Sequence, residues 1–311
     1  MLVAHSQALF CNLRQAANKA KGVNVGANSS ELMARSRGTL AAMRTSIRRD
    51  EFFAGLYILG CANGLLGRFL QSAHIDGWTS AALSIDINVI VLFAVFAGVS
   101  ALLCAEKDEL LSADLAVAVV FLGLVSLPIS PLSWIAVTGL SFYIFLFAKG
   151  SSDRTRGALI LLAISVPMLW SRLLFQFFAK TILNIDASLV VSLLGTERIG
   201  NTVKFADASG YMVVLPPCSS LANMSFAFLC WISVTQWAQH KWSPADLFWG
   251  PLVCASIIAV NVTRISLMGL SRSYYEAIHS QWGDLVTNST MLVLMIVVSV
   301  MGARRELFSR I

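Results

Sequence analysis

The sequence predicts an all-α polytopic membrane protein: about eight transmembrane helices, both termini in the cytoplasm, and a short extracytoplasmic β-hairpin-like segment before the sixth helix. Three observations point there. Of 311 residues, 57% are hydrophobic and only 13% charged, against roughly 25% charged in ordinary soluble domains, and mean hydropathy is +0.72. Apolar runs of spanning length recur along the chain. Lys and Arg gather in alternate connections between them. So little polar chain cannot cover a soluble surface, which excludes soluble enzymes, DNA-binding domains and disulfide-rich secreted scaffolds. The formal net charge of +6 therefore reads as a signal of orientation, and no nucleic acid is expected as a partner.

A hydrocarbon core about 30 Å thick takes about 20 apolar residues per helix. The first three candidate spans are Phe52 to Leu70, Leu83 to Cys104, and Leu115 to Ile129, the last closed by Pro128 and Pro131. Pro131 opens the fourth, which ends near Ala148, and the fifth runs from Gly157 to about Ile182. Cys218 to Ala238, Asp246 to Leu270 and Gly283 to Met301 complete the set. Basic residues then orient the bundle, because loops rich in Lys and Arg stay in the cytoplasm. Arg14, Lys19, Lys21, Arg35, Arg37, Arg44, Arg48 and Arg49 precede the first span, and Lys107, Lys149, Arg154, Arg156, Lys241, Arg304, Arg305 and Arg310 fall on the same side. The opposite side collects Arg198, Lys204 and Arg272.

Residues 1–50 hold no apolar run long enough for a signal peptide, and their Ala, Ser, Asn, Arg and Gly content buries little, so they read as a disordered, basic cytoplasmic tail. Residues 51–303 form the transmembrane domain and 304–311 a short cytoplasmic tail. No internal repeat of the kind common in secondary transporters is visible.

On the outer side, Leu183 to Pro217 supplies a long stretch of non-spanning chain, and such length is usually functional. Within it Thr202 to Phe205 and Gly210 to Leu215 are β-prone, separated by Ala206-Asp207-Ala208-Ser209, which reads as a hairpin. Pro216 and Pro217 then fix the approach to the sixth helix and place Cys218 at its N-terminus. A thiol there sits beside amide donors and the positive end of a helix dipole, both of which favour thiolate, so Cys218 is the candidate nucleophile. Cys61, Cys104, Cys230 and Cys254 read as small apolar packing residues, and Cys11 lies in the tail.

Arg264 lies eighteen residues beyond Asp246, about 27 Å along the seventh helix, which brings it to the outer boundary. It either snorkels to the headgroups or serves the same site as Cys218. Asn261 shares its face three residues earlier, in a role read as structural. His279 follows in the last outer loop, with His74 of the first outer loop as the alternative imidazole. Thiolate, guanidinium and imidazole at one depth suit acyl transfer: the thiolate attacks, imidazole moves the proton, and the guanidinium faces an oxyanion or a substrate carboxylate. Zinc chemistry lacks its ligands, so no metal and no cofactor is expected. A serine nucleophile lacks a persuasive Gly-x-Ser-x-Gly context.

At these residues the sequence resembles the exosortase/archaeosortase family of polytopic membrane transpeptidases, whose pattern is a Cys-Ser-Gly-like motif, an Asn-x-x-Arg motif and a later His. Here the pattern reads Cys218-Ser219-Ser220, Asn261-Val262-Thr263-Arg264 and His279. The resemblance implies Cys218 as nucleophile, Arg264 as stabiliser of the thiolate or transition state, and His279 as acid or base, with Asn261, Ser219 and Ser220 in support. It also implies the substrates: secreted proteins ending in a recognition motif, one membrane helix and a basic cluster, cut at the outer face of the plasma (inner) membrane and passed to an acceptor. The chain departs from the pattern at Ser220, where glycine is usual, and at Pro217, where an acidic or small residue often stands. Both departures bear on which motif is read. The competing readings are a membrane transporter, supported by Asp86, Asn88, Arg172, Gln176 and Asn223 in or near the helices, and a non-catalytic secretion or assembly factor.

Overall fold

The computed structural model describes residues 48–76, 89–105, 108–127, 129–147 and 152–304. The N-terminal tail up to residue 47, the start of the second predicted span with Asp86 and Asn88, and the C-terminal residues 305–311 lie outside the described residues. So does the side chain of His74.

A helix occupies each of the eight predicted stretches. In chain order these are α1 (Arg49–Asp76), α2 (Val89–Leu103), α3 (Ser112–Val125) and α4 (Ser130–Leu146). Then come α5 (Ser152–Ser165) and α6 (Ser171–Leu194), α7 (Ser220–Trp237), α8 (Asp246–Met268), the short α9 (Arg272–Ile278) and α10 (Gln281–Gly302). Among the described residues three helical segments are long and apolar enough to cross a membrane: Ser152–Leu194, Asp246–Met268 and Gln281–Gly302. The helices α2, α3 and α4 are shorter and equally apolar.

The longest segment joins α5 to α6 through a π-helical turn, Val166–Trp170. Pro167 sits in that turn; its missing N–H and bulky ring break the ordinary ladder, and the wider π turn absorbs the defect without ending the helix. The helix then runs on to Leu194, twelve residues past the predicted stop near Ile182. The stretch from Leu183, expected to be non-spanning loop, is thus helical for its first third. The stop comes at Gly195, which takes the left-handed conformation (φ 67°) and donates to the Val191 carbonyl, the usual glycine-terminated helix end.

The predicted hairpin is present. Strands β2 (Thr202–Lys204) and β3 (Tyr211–Val213) pair antiparallel with Val203 opposite Met212, and both of these side chains are buried while their neighbours face outward. A strand not anticipated, β1 (Arg198–Ile199), pairs with β2. The turn is closed by the Phe205 N–H on the Gly210 carbonyl at 3.0 Å, and the Asp207 carboxylate accepts the Ser209 N–H at 2.9 Å, as short acidic side chains do in turns.

Two apolar cores result. The larger fills the bundle of α1, α2, α4, α5 and α7, with Trp134, Leu161 and Leu229 at its centre. The backbones of α2 and α5 approach closely because Gly98 and Gly157 face each other: a Cβ on Gly157 would stand 2.9 Å from the Gly98 carbonyl oxygen and 2.8 Å from Leu102, the small-residue packing typical of membrane helices. The smaller core is a lid over one end of the bundle, where α6 (Leu183, Ala187, Val190) packs on the sheet (Val203, Met212) and on the end of α8 (Val262, Ile265, Met268).

At the opposite end of α1 the structure revises the reading of two basic residues. Arg49 and Arg154, read from the sequence as signals of orientation, are 3% and 1% exposed. Arg154 holds Asp50 with two contacts, at 2.7 and 2.8 Å, and Asp108 at 2.7 Å. Arg49 pairs with Asp114 at 2.8 Å, whose carboxylate also accepts the Tyr143 hydroxyl and the Leu111 N–H. The starts of α1, α3 and α5 are thereby clamped together. Charges this deep persist only when paired, and each of these has its counter-ion.

Candidate functional site

The site lies where the lid meets α7 and α8. Leu215 approaches in extended conformation, and Pro216–Cys218 form one 3₁₀ turn, as two consecutive prolines without N–H groups favour. The turn is closed by the Cys218 N–H on the Leu215 carbonyl at 2.9 Å and the Ser219 N–H on the Pro216 carbonyl at 3.1 Å. Cys218 is a free thiol, partly buried against the lid core. Helix α7 begins at Ser220, with Ser219 as its N-cap, the Ser219 Oγ accepting the Leu221 N–H at 3.3 Å.

Cys218 therefore does not stand at the first turn of the helix, as expected, but in the turn before it. The freed amides are already used: Ser219 takes one, and the Asp186 carboxylate of α6, 3% exposed, accepts the Ser220 N–H at 3.1 Å. The expected thiolate-favouring field is correspondingly weakened. Burial pushes the Cys218 thiol above its ordinary pKa, the Arg264 charge and the Leu215 hydrogen bond pull it down, and the carboxylates of Asp284 and Asp186 push it further up. The resting site holds a thiol, and forming thiolate requires a base or a change in those charges.

Asn261 is fully buried and serves as the keystone. Its Nδ2 donates to the Cys218 carbonyl at 2.7 Å and to the Ser220 Oγ at 3.0 Å, while its Oδ1 accepts from Asn223 at 3.5 Å. Its partners lie in the Cys218 turn and α7, not on the guanidinium. Ser220 supplies the hydroxyl that Asn261 binds. One turn further along the same face of α8, Arg264 pairs with Asp284 in the first turn of α10. The Arg264 side chain is 13% exposed against 47% for Asp284, and Arg264 Nε is buried with no hydrogen-bond partner among the described residues.

His279 caps the end of α9 and is exposed. Its ring stands edge-on to Tyr275 with centroids 5.3 Å apart, and Tyr275 in turn packs edge-on against Phe205 of the lid at 6.5 Å. Its side chain forms no hydrogen bond or ion pair among the described residues. The structure thus brings Cys218, Asn261, Ser219 and Ser220 into one hydrogen-bonded arrangement, sets Arg264 one turn further along α8 on Asp284, and leaves His279 at the rim of the same lid core. Of the other histidines, His240 is tied to Asp246 at 2.8 Å between the far ends of α7 and α8.

Two residues of the site escaped the sequence reading. Asp186 was placed in a loop, where an acid is unremarked; once α6 is seen to extend to Leu194, it is a carboxylate inside an apolar helix, which is a signal. Asp284 was one acid in the first turn of the last span, where helix dipoles ordinarily favour acids. No group of three or more His, Cys, Asp or Glu side chains able to hold a metal occurs among the described residues.

No family model, curated protein or solved structure matches the chain.

Proposed function

We propose that this chain is a cysteine-dependent protein-sorting transpeptidase or protease, resembling the exosortase/archaeosortase family. In this reading it is an eight-span protein of the plasma membrane with both termini in the cytoplasm and the lid on the extracytoplasmic side. The observation that carries the proposal is the Asn261 bridge: the Asn-x-x-Arg segment of α8 is hydrogen-bonded to the backbone of Cys218 at 2.7 Å, with Arg264 one turn further along the same helix. Two short motifs forty-odd residues apart would not otherwise need each other.

The chemistry follows from the groups present. His279 takes the Cys218 proton, the thiolate attacks the scissile carbonyl, and Arg264 faces the oxyanion of the tetrahedral state. Collapse expels the amine, which receives the proton from the imidazolium, and leaves a thioester on Cys218 that an acceptor amine or water resolves. A raised thiol pKa suits such a general-base route better than a standing thiolate, and the exposed His279 at the rim is placed to meet substrate when it arrives. The substrates are secreted proteins whose C-terminal motif, membrane helix and basic cluster dock from the lipid side.

The test is mass spectrometry of a candidate C-terminally anchored protein made with the parent chain or with Cys218→Ala. The parent should yield the processed carboxyl end and a trapped thioester on Cys218, and the variant neither. Unchanged processing in Cys218→Ala would sink the proposal and favour the assembly-factor reading.

A further inference from the structure

Arg264 does not approach Cys218 as a free cation. Its guanidinium is held by Asp284, a residue on a different helix from either Cys218 or Arg264 and one with no counterpart among the three motifs. Asp284 is about half exposed, while Arg264 is nearly buried. The pair is therefore asymmetric: water and solutes reach the carboxylate, and the guanidinium reaches inward. Arg264 stands one turn beyond Asn261, whose amide holds the Cys218 carbonyl at 2.7 Å, and the charges around the sulfur come from three elements, Arg264 on α8, Asp284 on α10 and Asp186 on α6. Asp186 is committed to the Ser220 N–H, so its charge is part of the frame of α7. Among the described residues the Asp284 carboxylate is committed to Arg264.

We infer that Asp284 is a positioning residue: it fixes the Arg264 guanidinium beside Cys218 and competes for it with whatever anion forms or binds there. This rests on the proposed nucleophilic role of Cys218 but is tested without it. A guanidinium has five donors in a planar fork, and the Arg264 Nε donor is unused among the described residues. The guanidinium can therefore turn toward a second anion while Asp284 retains one edge, or let Asp284 go. The carboxylate does two opposing things. It holds the cation in place, which helps a thiolate or oxyanion, and it cancels part of the cation's charge, which hinders both.

The two effects separate by substitution. Asp284→Asn keeps an acceptor for Arg264 and removes the negative charge, whereas Asp284→Ala removes both. The readout is the rate of iodoacetamide alkylation of Cys218, followed by peptide mass spectrometry in the full-length, detergent-solubilised protein between pH 6 and 10, with the peptides of Cys61, Cys230 and Cys254 as internal controls. Since thiolate fraction changes tenfold per pKa unit, Asp284→Asn should alkylate roughly three- to tenfold faster at pH 7, with its pH profile shifted to lower pH. Asp284→Ala should fall well short of that gain, and Arg264→Gln should alkylate more slowly than the parent. Equal rates for Asp284→Asn and Asp284→Ala would show that holding the guanidinium is not what Asp284 does. A profile unmoved in Asp284→Asn would show that its charge does not bear on the sulfur. Either result overturns the inference, while the processing assay above judges the transpeptidase reading separately.

Discussion

Arg154 offers the sharpest test of how the bundle is held. In Arg154→Met the aliphatic stem is kept, but Asp50, 1% exposed, loses both of its contacts to the guanidinium. A buried carboxylate stripped of its counter-ion costs about 3–5 kcal/mol. Asp108 is 44% exposed and is resolvated by water, so its lost pair contributes less than about 1 kcal/mol. The expected total is about 3–5 kcal/mol, carried almost wholly by Asp50. Removing that carboxylate too, in Arg154→Met with Asp50→Leu, should therefore recover about 2 kcal/mol or more relative to Arg154→Met, because no uncompensated charge remains. The assay is equilibrium unfolding in mixed micelles of dodecyl maltoside with increasing SDS, followed by far-ultraviolet circular dichroism. A parent-like midpoint for Arg154→Met, within about 0.5 kcal/mol, or a double variant no more stable than the sum of the two singles, would refute the reasoning: the buried pair would then contribute nothing to holding the bundle.

Asn261→Leu should cost about 1–3 kcal/mol in the same assay and abolish processing, since it strands the part-buried Cys218 carbonyl and the buried Ser220 hydroxyl; a stable, active variant would remove Asn261 as keystone. Gly157→Val should destabilise by at least about 1–3 kcal/mol, because its side chain meets the Gly98 carbonyl and Leu102, with Gly157→Ala milder in the same unfolding titration. Arg264→Lys should lose most processing, as a point ammonium cannot hold Asp284 and an oxyanion together, and His279→Ala should be severe where His74→Ala is mild; the reverse order in the processing assay would assign the imidazole role to His74. The parent's Cys218 alkylation rate should still be rising above pH 9, since burial lifts the thiol. The sign for stability follows: a folded-state thiol pKa above its unfolded value contributes stability that is complete below the unfolded value and is lost as pH rises through the folded one, so Cys218→Ala should lose less stability than the parent as pH rises past the ordinary thiol range.

Composition and apolar run length were enough to locate a helix in each of the eight stretches, though not its ends, because a long run in a chain with 57% hydrophobic residues satisfies its backbone away from water most readily as a helix. The hairpin was legible for a similar local reason, since alternation at Thr202 to Lys204 and Tyr211 to Val213 and a turn at Asp207 are written in consecutive residues. The site was legible as residue types and order: Cys218, Asn261 and Arg264 could be named before any contact was known. What a linear reading could not supply was anything set by distance between remote segments. Gly195 marks the end of α6, yet a π turn at Pro167 had to be tolerated for the helix to get that far, and only then does the Asp186 carboxylate meet the Ser220 N–H at the start of α7. Arg49 and Arg154 look identical in sequence to solvated loop cations; their burial is decided by where Asp50, Asp108 and Asp114 arrive in space. The charge state of Cys218 belongs to the same class, because it is a balance of burial and three charges on three helices, and Coulomb energy depends on separation that the order of residues does not encode.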